Sequence, residues 1–261
     1  MRVTIVTQDD PLYILPFFRS FFAGDLAGVE VTAVYACRAM GSRKRTKLLR
    51  ELATLYGFNG FVKLLLIHAC TRIASTRAFQ AILQRPMSLE ALVKARGIPY
   101  ERIENPNAAI SYDKIATQIP DVLVSVACPY VFKSKLLELP SIETINIHHA
   151  PLPRYKGMMP TFWQMYHGEH SAAITIHTMA PEIDGGEILF QQAFPVRPEE
   201  SMHQLIRRSK TLGGKFMLDV LRQYATGNPP HSTVPPGEGS YFTFPTSEEM
   251  KDFRSRGLRA I

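Results

Sequence analysis

Cysteine is scarce in this chain of 261 residues, and Cys37, Cys70 and Cys128 share no CxxC spacing and sit among apolar neighbours. Three thiols cannot all pair, so a disulfide framework is excluded. The expectation is a reduced, cytoplasmic protein whose cysteines are buried and inert. A secretory signal is also missing: Met1-Arg2 runs straight into Val3-Thr4-Ile5-Val6, with no small-residue cleavage site behind it. Long apolar runs are absent too, since Phe61–Ala69 contains Lys63 and His68 and is too short to span a bilayer. There is no internal repeat, heptad series or low-complexity block. With 46% apolar and 20% charged residues, wholesale disorder is excluded and one large domain, or one plus a modest appendage, is expected.

Acidic residues are missing from one place in particular. Lys and Arg number 30 against 23 Asp and Glu, a net charge of +7. Arg38, Arg43, Lys44, Arg45, Lys47 and Arg50 follow one another without an acid, and removing these six leaves +1. The basicity is therefore local, which speaks against a positive coat over the whole surface. A basic nucleic-acid-binding module has no other support, because no recognisable RNA- or DNA-binding motif accompanies the run.

The apolar pattern predicts strands at Arg2–Thr7, Val29–Ala36, Asp121–Ala127, Thr144–His148, Ala173–Thr178 and Glu187–Phe194. Helices are predicted from Ile14 to Phe22, from Lys44 to Gln84 with breaks at Gly57 and Gly60, from Ser88 to Arg96, and from Ser201 to Tyr224. Ser88 reads as an N-cap and Gly97 as a C-cap. The Phe17–Phe22 aromatics and Trp163 read as core, and Gly227–Ser240 as a Pro/Gly-rich tail. Strands alternating with helices predict an α/β protein with a doubly wound, mostly parallel sheet. Residues 1–200 are expected to form the catalytic domain, and 201–261 a C-terminal helix and extension packed on it.

The chemistry concentrates between Asn146 and Ile188. Asn146 and His148 stand two apart at a strand end and so share one face. In open parallel sheets that carboxyl edge is where ligands bind. Pro151, Pro153, Gly157 and Pro160 punctuate the loop that follows. Thr175 and His177 share one face of the next strand, opposite Ile174 and Ile176. Asp184 is followed by Gly185-Gly186, which lets a ligand or backbone come close. His149 should face away from His148 and serve packing or hydrogen bonding. His167 and His170, with Glu169 between them, lack further ligands at metal-site spacing, so no metal is expected.

Asn-x-His, then Leu-Pro-x-Tyr-x-Gly, then Thr-x-His, then Asp-x-Gly seven residues after that histidine, resembles the formyltransferase family that uses 10-formyltetrahydrofolate. The resemblance covers roughly Asp121 to Gln192 and implies a Rossmann-like fold. It also implies a catalytic set of Asn146, His148 and Asp184, with Thr175 and His177 in support. Asn146 and an imidazolium at His148 would form an oxyanion hole, with Asp184 keeping that histidine charged. For the folate, the resemblance implies backbone contacts around Cys128, Tyr130, Val131, Phe132, Pro181 and Ile183.

The acceptor implied is a small primary amine, foremost an amino sugar, nucleotide-linked or lipid-linked. Relatives acting on methionyl-tRNA carry a further C-terminal barrel, for which Ser209–Ile261 leaves little room, and the formyltetrahydrofolate hydrolases carry an N-terminal domain ahead of the first strand. Phosphate-cradling relatives place a Gly/Ser-rich loop where this chain has Gln8-Asp9-Asp10-Pro11. Ala150-Pro151 stands where many relatives have Ser-Leu. The basic run suits a pyrophosphate or a solvated helix start equally well. With the apolar Phe61–Cys70 stretch behind it, the run also suits an anionic membrane surface. A homodimer stays open.

Overall fold

A computed structural model describes residues 1–39, 45–231 and 239–261, without the side chains of Arg45 and Arg77. Arg43, Lys44 and half of the Pro/Gly-rich tail, residues 232–238, lie outside the described residues.

The middle of the molecule is built from strands that are apolar on both faces. β1 (Arg2–Asp9), β2 (Glu30–Arg38) and β4 (Val122–Val126) are buried nearly end to end, as parallel strands covered on both sides must be. The charged edge strand β3 (Tyr100–Ile103) lies beyond β2, while β5 (Glu143–His148), β7 (Ser171–Thr178) and β8 (Ile188–Pro195) extend the sheet past β4. The order is β3-β2-β1-β4-β5-β7-β8, parallel from β3 to β5 and antiparallel at β7 and β8. The winding reverses between β1 and β4, where the carboxyl ends open a crevice for ligands. This is the expected mostly parallel, Rossmann-like α/β sheet. β6 (Lys156–Gly157) and β9 (Tyr241–Phe242) form a separate two-stranded pair.

Helix α1 (Ile14–Phe21) turns Ile14, Leu15, Phe17, Phe18 and Phe21 inward. Across the chain α8 (Met202–Ala225), started by a Ser201–Gln204 capping box, packs against it. At Gly214 a side chain would strike the Phe17 carbonyl, since an added Cβ would sit 2.2 Å from that oxygen. One core cluster contains Val3, the α1 phenylalanines, Leu205, Met217, Phe253 and Ala260.

The predicted Lys44–Gln84 helix is two helices, α2 (Arg45–Ala74) and α3 (Arg77–Leu83). The first leaves helical geometry at Gly57, with φ +66°, and runs on through Gly60. The second break falls at Ser75–Thr76, where Thr76 caps α3. Within Thr46–Ala74 an 18-residue window has a mean hydropathy of 1.3, long and apolar enough by length and composition to cross a bilayer, although the Phe61–Ala69 run alone is too short to do so. Short helices α4 (Leu89–Lys94), α5 (Ala109–Ala116), α6 (Ser134–Leu137), α7 (Pro160–Tyr166) and α9 (Ser247–Ser255) complete the fold. Cysteine burial also needs correcting: Cys37 is buried, but Cys70 is exposed on α2, and Cys128 lines the cavity described next.

Candidate active site

A cavity of about 430 Å³ opens at the carboxyl ends of β4 and β5. β5 delivers Asn146 and His148 on one face, and antiparallel pairing sets His177 of β7 opposite Asn146 and Thr175 opposite His148. The Asn146 amide donates to His177 Nε2 at 3.1 Å, and His177 Nδ1–H donates to the Thr178 carbonyl at 2.7 Å. One amide hydrogen of Asn146 is thereby held and the other is left for a ligand.

Asp184 arrives on the loop between β7 and β8 in a left-handed conformation, φ 50°. That loop closes tightly because Gly186 lies against Thr178, where an added Cβ would sit 1.7 Å from the carbonyl oxygen. One carboxylate oxygen is 3.5 Å from His148 Nδ1 and accepts the Gly157 amide hydrogen at 2.8 Å. The other is 3.6 Å from His177 Nε2. His148 Nε2–H donates to the Tyr155 carbonyl at 2.8 Å. The Leu-Pro-x-Tyr-x-Gly motif thus has a physical reading: Tyr155 supplies an acceptor to His148, and Gly157 supplies a donor to Asp184. Pairing of β6 with β9 braces this loop, and Ser240 Oγ accepts the Tyr155 amide hydrogen at 2.9 Å.

Burial works against the Asp184 charge, but His177, His148 and the Gly157 amide outweigh it and draw its pKa down to about 2. For His148 the balance is reversed. Burial lowers its pKa despite the pull of Asp184 and the Tyr155 carbonyl, with His177 and Lys210 adding repulsion. The expected standing imidazolium is therefore corrected: His148 rests uncharged at neutral pH, its Nε2–H already given to Tyr155. Ala127, Tyr155 and Met159 join Asp184 with positive φ of 53°, 62° and 53°, so backbone strain gathers around this cavity.

The folate expectations divide. Cys128, Tyr130, Val131 and Ile183 line the cavity. Phe132 does not: it is a core side chain beside Val6 and Leu136, because its ring is worth more buried than exposed. Pro181 is exposed outside the cavity wall. Cys37 and Cys128 are both free thiols, and a hydrogen bond from the Cys128 thiol to Cys37 lowers the pKa of Cys37 and, with burial, raises that of Cys128. Thr175 is fully buried, donates to the Ala150 carbonyl at 2.6 Å and accepts from the Gln191 amide at 2.9 Å, pinning the turn after β5. His167 is packed among the rings of Tyr155, Trp163 and Phe242, and Glu169 bonds Arg154 and the Tyr155 hydroxyl.

Sequence reading missed Lys210. From α8 it reaches the cavity wall and, among the described residues, has no hydrogen-bond or ion-pair partner. Burial draws its pKa down to about 8, with Asp10 the only group raising it. His149 lines the same cavity and accepts or donates at Nδ1 to Ser209 Oγ, 2.7 Å away. Its buried Nε2 has no partner among the described residues. The signal for this cluster was the Gly213-Gly214 pair one turn beyond Lys210, which marks close approach of the helix backbone.

Among curated proteins, the methionyl-tRNA formyltransferase of Thermotoga maritima is 29% identical over 143 residues, 55% of this chain and 46% of that protein. The match spans less than half the length of such relatives. Among solved structures, a sugar N-formyltransferase from Shewanella sp FDAARGOS_354 has a TM-score of 0.58 at 19% identity, covering 98% of this chain and 79% of that one. Glycinamide ribonucleotide transformylase 1 from Symbiobacterium toebii has a TM-score of 0.60 at 15% identity, covering 87% and 88%. These two likenesses show the shared fold. The formyl transferase family model matches residues 81–221, more than half of the chain and the whole stretch from Asn146 to Lys210 that furnishes the cavity's polar groups. The chain belongs to the formyl transferase family.

Proposed function

We propose that this protein transfers a formyl group from 10-formyltetrahydrofolate to the primary amine of a small acceptor. The observation that carries the reading is the convergence of Asn146, His148, Asp184 and His177 in one cavity at the carboxyl ends of β4 and β5. A volume of about 430 Å³ lies in the range of small-ligand sites. Val131, Met179 and Ile183 offer it apolar walls beside exposed loop backbone, which fits a flat ring with polar edges. When bound, the folate presents an electrophilic formyl carbon.

The chain's residues then have distinct tasks. The free amide hydrogen of Asn146 meets the formyl oxygen as it gains charge, at a site where such a donor is worth about 2.7–4 kcal/mol of barrier. His148 is uncharged and its Nδ1 faces ionised Asp184, so the pair takes one proton from the attacking amine and returns it to the departing folate nitrogen. Asp184 stabilises the imidazolium that forms between those two events. His177 fixes the Asn146 amide. The products balance as the N-formyl amine and tetrahydrofolate.

Lys210 and His149 narrow the acceptor. A buried cation without a partner on the wall of a reaction cavity suits an acceptor bearing phosphate or carboxylate, as a nucleotide-linked amino sugar does. The test is tetrahydrofolate release with a panel of amines: nucleotide-linked amino sugars, glycinamide ribonucleotide and methionyl-tRNA. Release that needs a small anionic amine is expected. Release only with the tRNA would move the acceptor to nucleic acid, and rapid formate release without any amine would make the protein a hydrolase.

A further inference from the structure

Amphipathic helices turn apolar side chains inward and polar ones outward, yet α2 and α3 expose theirs. Among the described residues, nine of the sixteen exposed large apolar side chains fall between Leu49 and Leu83. Phe58, Val62, Leu65, Leu66 and Ile73 follow helical spacing along one face of α2, and Phe79, Ile82 and Leu83 do the same on α3. Phe58 is 82% exposed, Leu66 61% and Ile82 73%. An apolar face this continuous is an interaction surface rather than ordinary scatter.

The inner side of α2 is occupied, which fixes the outer side as the free one. Leu55, Tyr56 and Leu64 are buried in the core, and the Tyr56 hydroxyl bonds that of Tyr13 at 3.3 Å. At Gly57 the helix bends over the Arg254 guanidinium, which an added Cβ would approach to 2.5 Å. Docked in this way, α2 lies along the domain and does not thread a bilayer.

The charge around the apolar face has one sign. Between Arg45 and Arg85 the sequence has seven Lys or Arg and a single acid, Glu51. Lys47, Arg50, Lys63, Arg72 and Arg85 are exposed. Two copies of this surface would repel each other, whereas an anionic lipid leaflet satisfies both the charge and the apolar area. We propose that the outer face of α2 and α3 docks on an anionic membrane surface. A second cavity of about 400 Å³ beside Lys47 and Glu51 shares Met158 with the first.

The test is co-sedimentation of the full chain with vesicles of phosphatidylcholine alone, or of equal parts phosphatidylcholine and phosphatidylglycerol. Wild type should sediment with the anionic vesicles only and be released as salt rises. Phe58→Glu, Leu66→Glu and Ile82→Glu should each weaken partition at least tenfold. Lys63→Gln with Arg72→Gln should weaken it about thirtyfold, from about one kcal/mol per cation. This conservative double variant keeps the test meaningful should an apolar-to-acid variant fold poorly, which circular dichroism reports. Wild type left in the supernatant with anionic vesicles, or bound equally to both kinds, overturns the proposal. So does a concentration-dependent dimer that Phe58→Glu dissociates, which would assign the face to a second copy. None of these readouts depends on formyl transfer, so the two proposals fail separately.

Discussion

The cavity at the sheet edge and the α2–α3 hairpin depart from the usual sorting of side chains in opposite directions. In the cavity, histidines, a carboxylate and a lysine are buried, where their charged forms are costly. On the hairpin, leucine, isoleucine and phenylalanine stand in water, where they contribute little to the fold. A protein under selection for stability alone would reverse both. The cavity pairs Asn146, His148, His177 and Asp184 with one another and with nearby backbone, but it leaves His149 Nε2 without a partner among the described residues, a state that is heavily penalised in a buried polar atom. The hairpin leaves its apolar face uncovered because exposing it costs the folded state little relative to the unfolded chain.

The largest effects should come from breaking the cavity's network. Asn146→Ala and Asp184→Asn are each expected to cut turnover by 10²–10³-fold, about 2.7–4 kcal/mol, in a tetrahydrofolate-release assay with circular dichroism unchanged. His148→Ala should do at least as much, because proton transfer is lost with it. If all three retain near-normal turnover, the mechanism is wrong.

Next comes a contrast within α2 itself. Leu55→Ala on the inner face should cost about 2–5 kcal/mol in denaturant unfolding. Leu66→Ser on the outer face should stay within about 0.5 kcal/mol. Equal costs would mean that the outer face is covered by the protein's own structure.

Lys210 gives a pH-dependent test. Its folded pKa of about 8 lies below the ordinary 10.5, so between those values the unfolded chain holds more protons and stability rises with pH. Relative to Lys210→Met, wild type should gain about 3 kcal/mol across that window. The variant should also raise KM for an anionic acceptor while leaving kcat largely intact, with partial recovery in Lys210→Arg. A change confined to kcat would remove Lys210 from acceptor binding.

Asp184 supplies the smallest of these effects and the opposite sign. Its pKa falls from 3.8 to about 2, so its stabilisation is complete above about pH 4 and is lost as pH drops toward 2. Acid unfolding should cost wild type about 2 kcal/mol more than Asp184→Asn over that interval. Parallel acid unfolding of the two proteins would show that the carboxylate is not held by the histidines and Gly157.

Much of this was legible in the sequence because it is periodic. Central strands covered on both faces read as unbroken apolar runs, and the two-residue repeat alone placed Asn146 with His148 and Thr175 with His177. The edge strand Tyr100–Ile103 escaped because Glu101 and Arg102 interrupt its pattern. The Ser247–Ser255 helix escaped although Thr246 and Glu249 form a capping box ahead of it. The protonation of His148 could not be read at all, since desolvation depends on what surrounds a side chain in space. Lys210 escaped for a related reason: a lysine on an amphipathic helix reads as solvated until the approach of the helix to its neighbours is known.

That approach has a consequence for how acceptor choice can evolve. Gly214 acts as a depth gauge, letting α8 settle until backbone meets backbone at Phe17, while Gly213 makes room for the Ile147 and His149 side chains, and Lys210 sits about one turn earlier. A methyl group at Gly214, where an added Cβ would also lie 2.9 Å from the Phe21 amide nitrogen, would lift the helix and carry the Lys210 ammonium with it. The floor of the cavity would shift without any residue of the floor being changed.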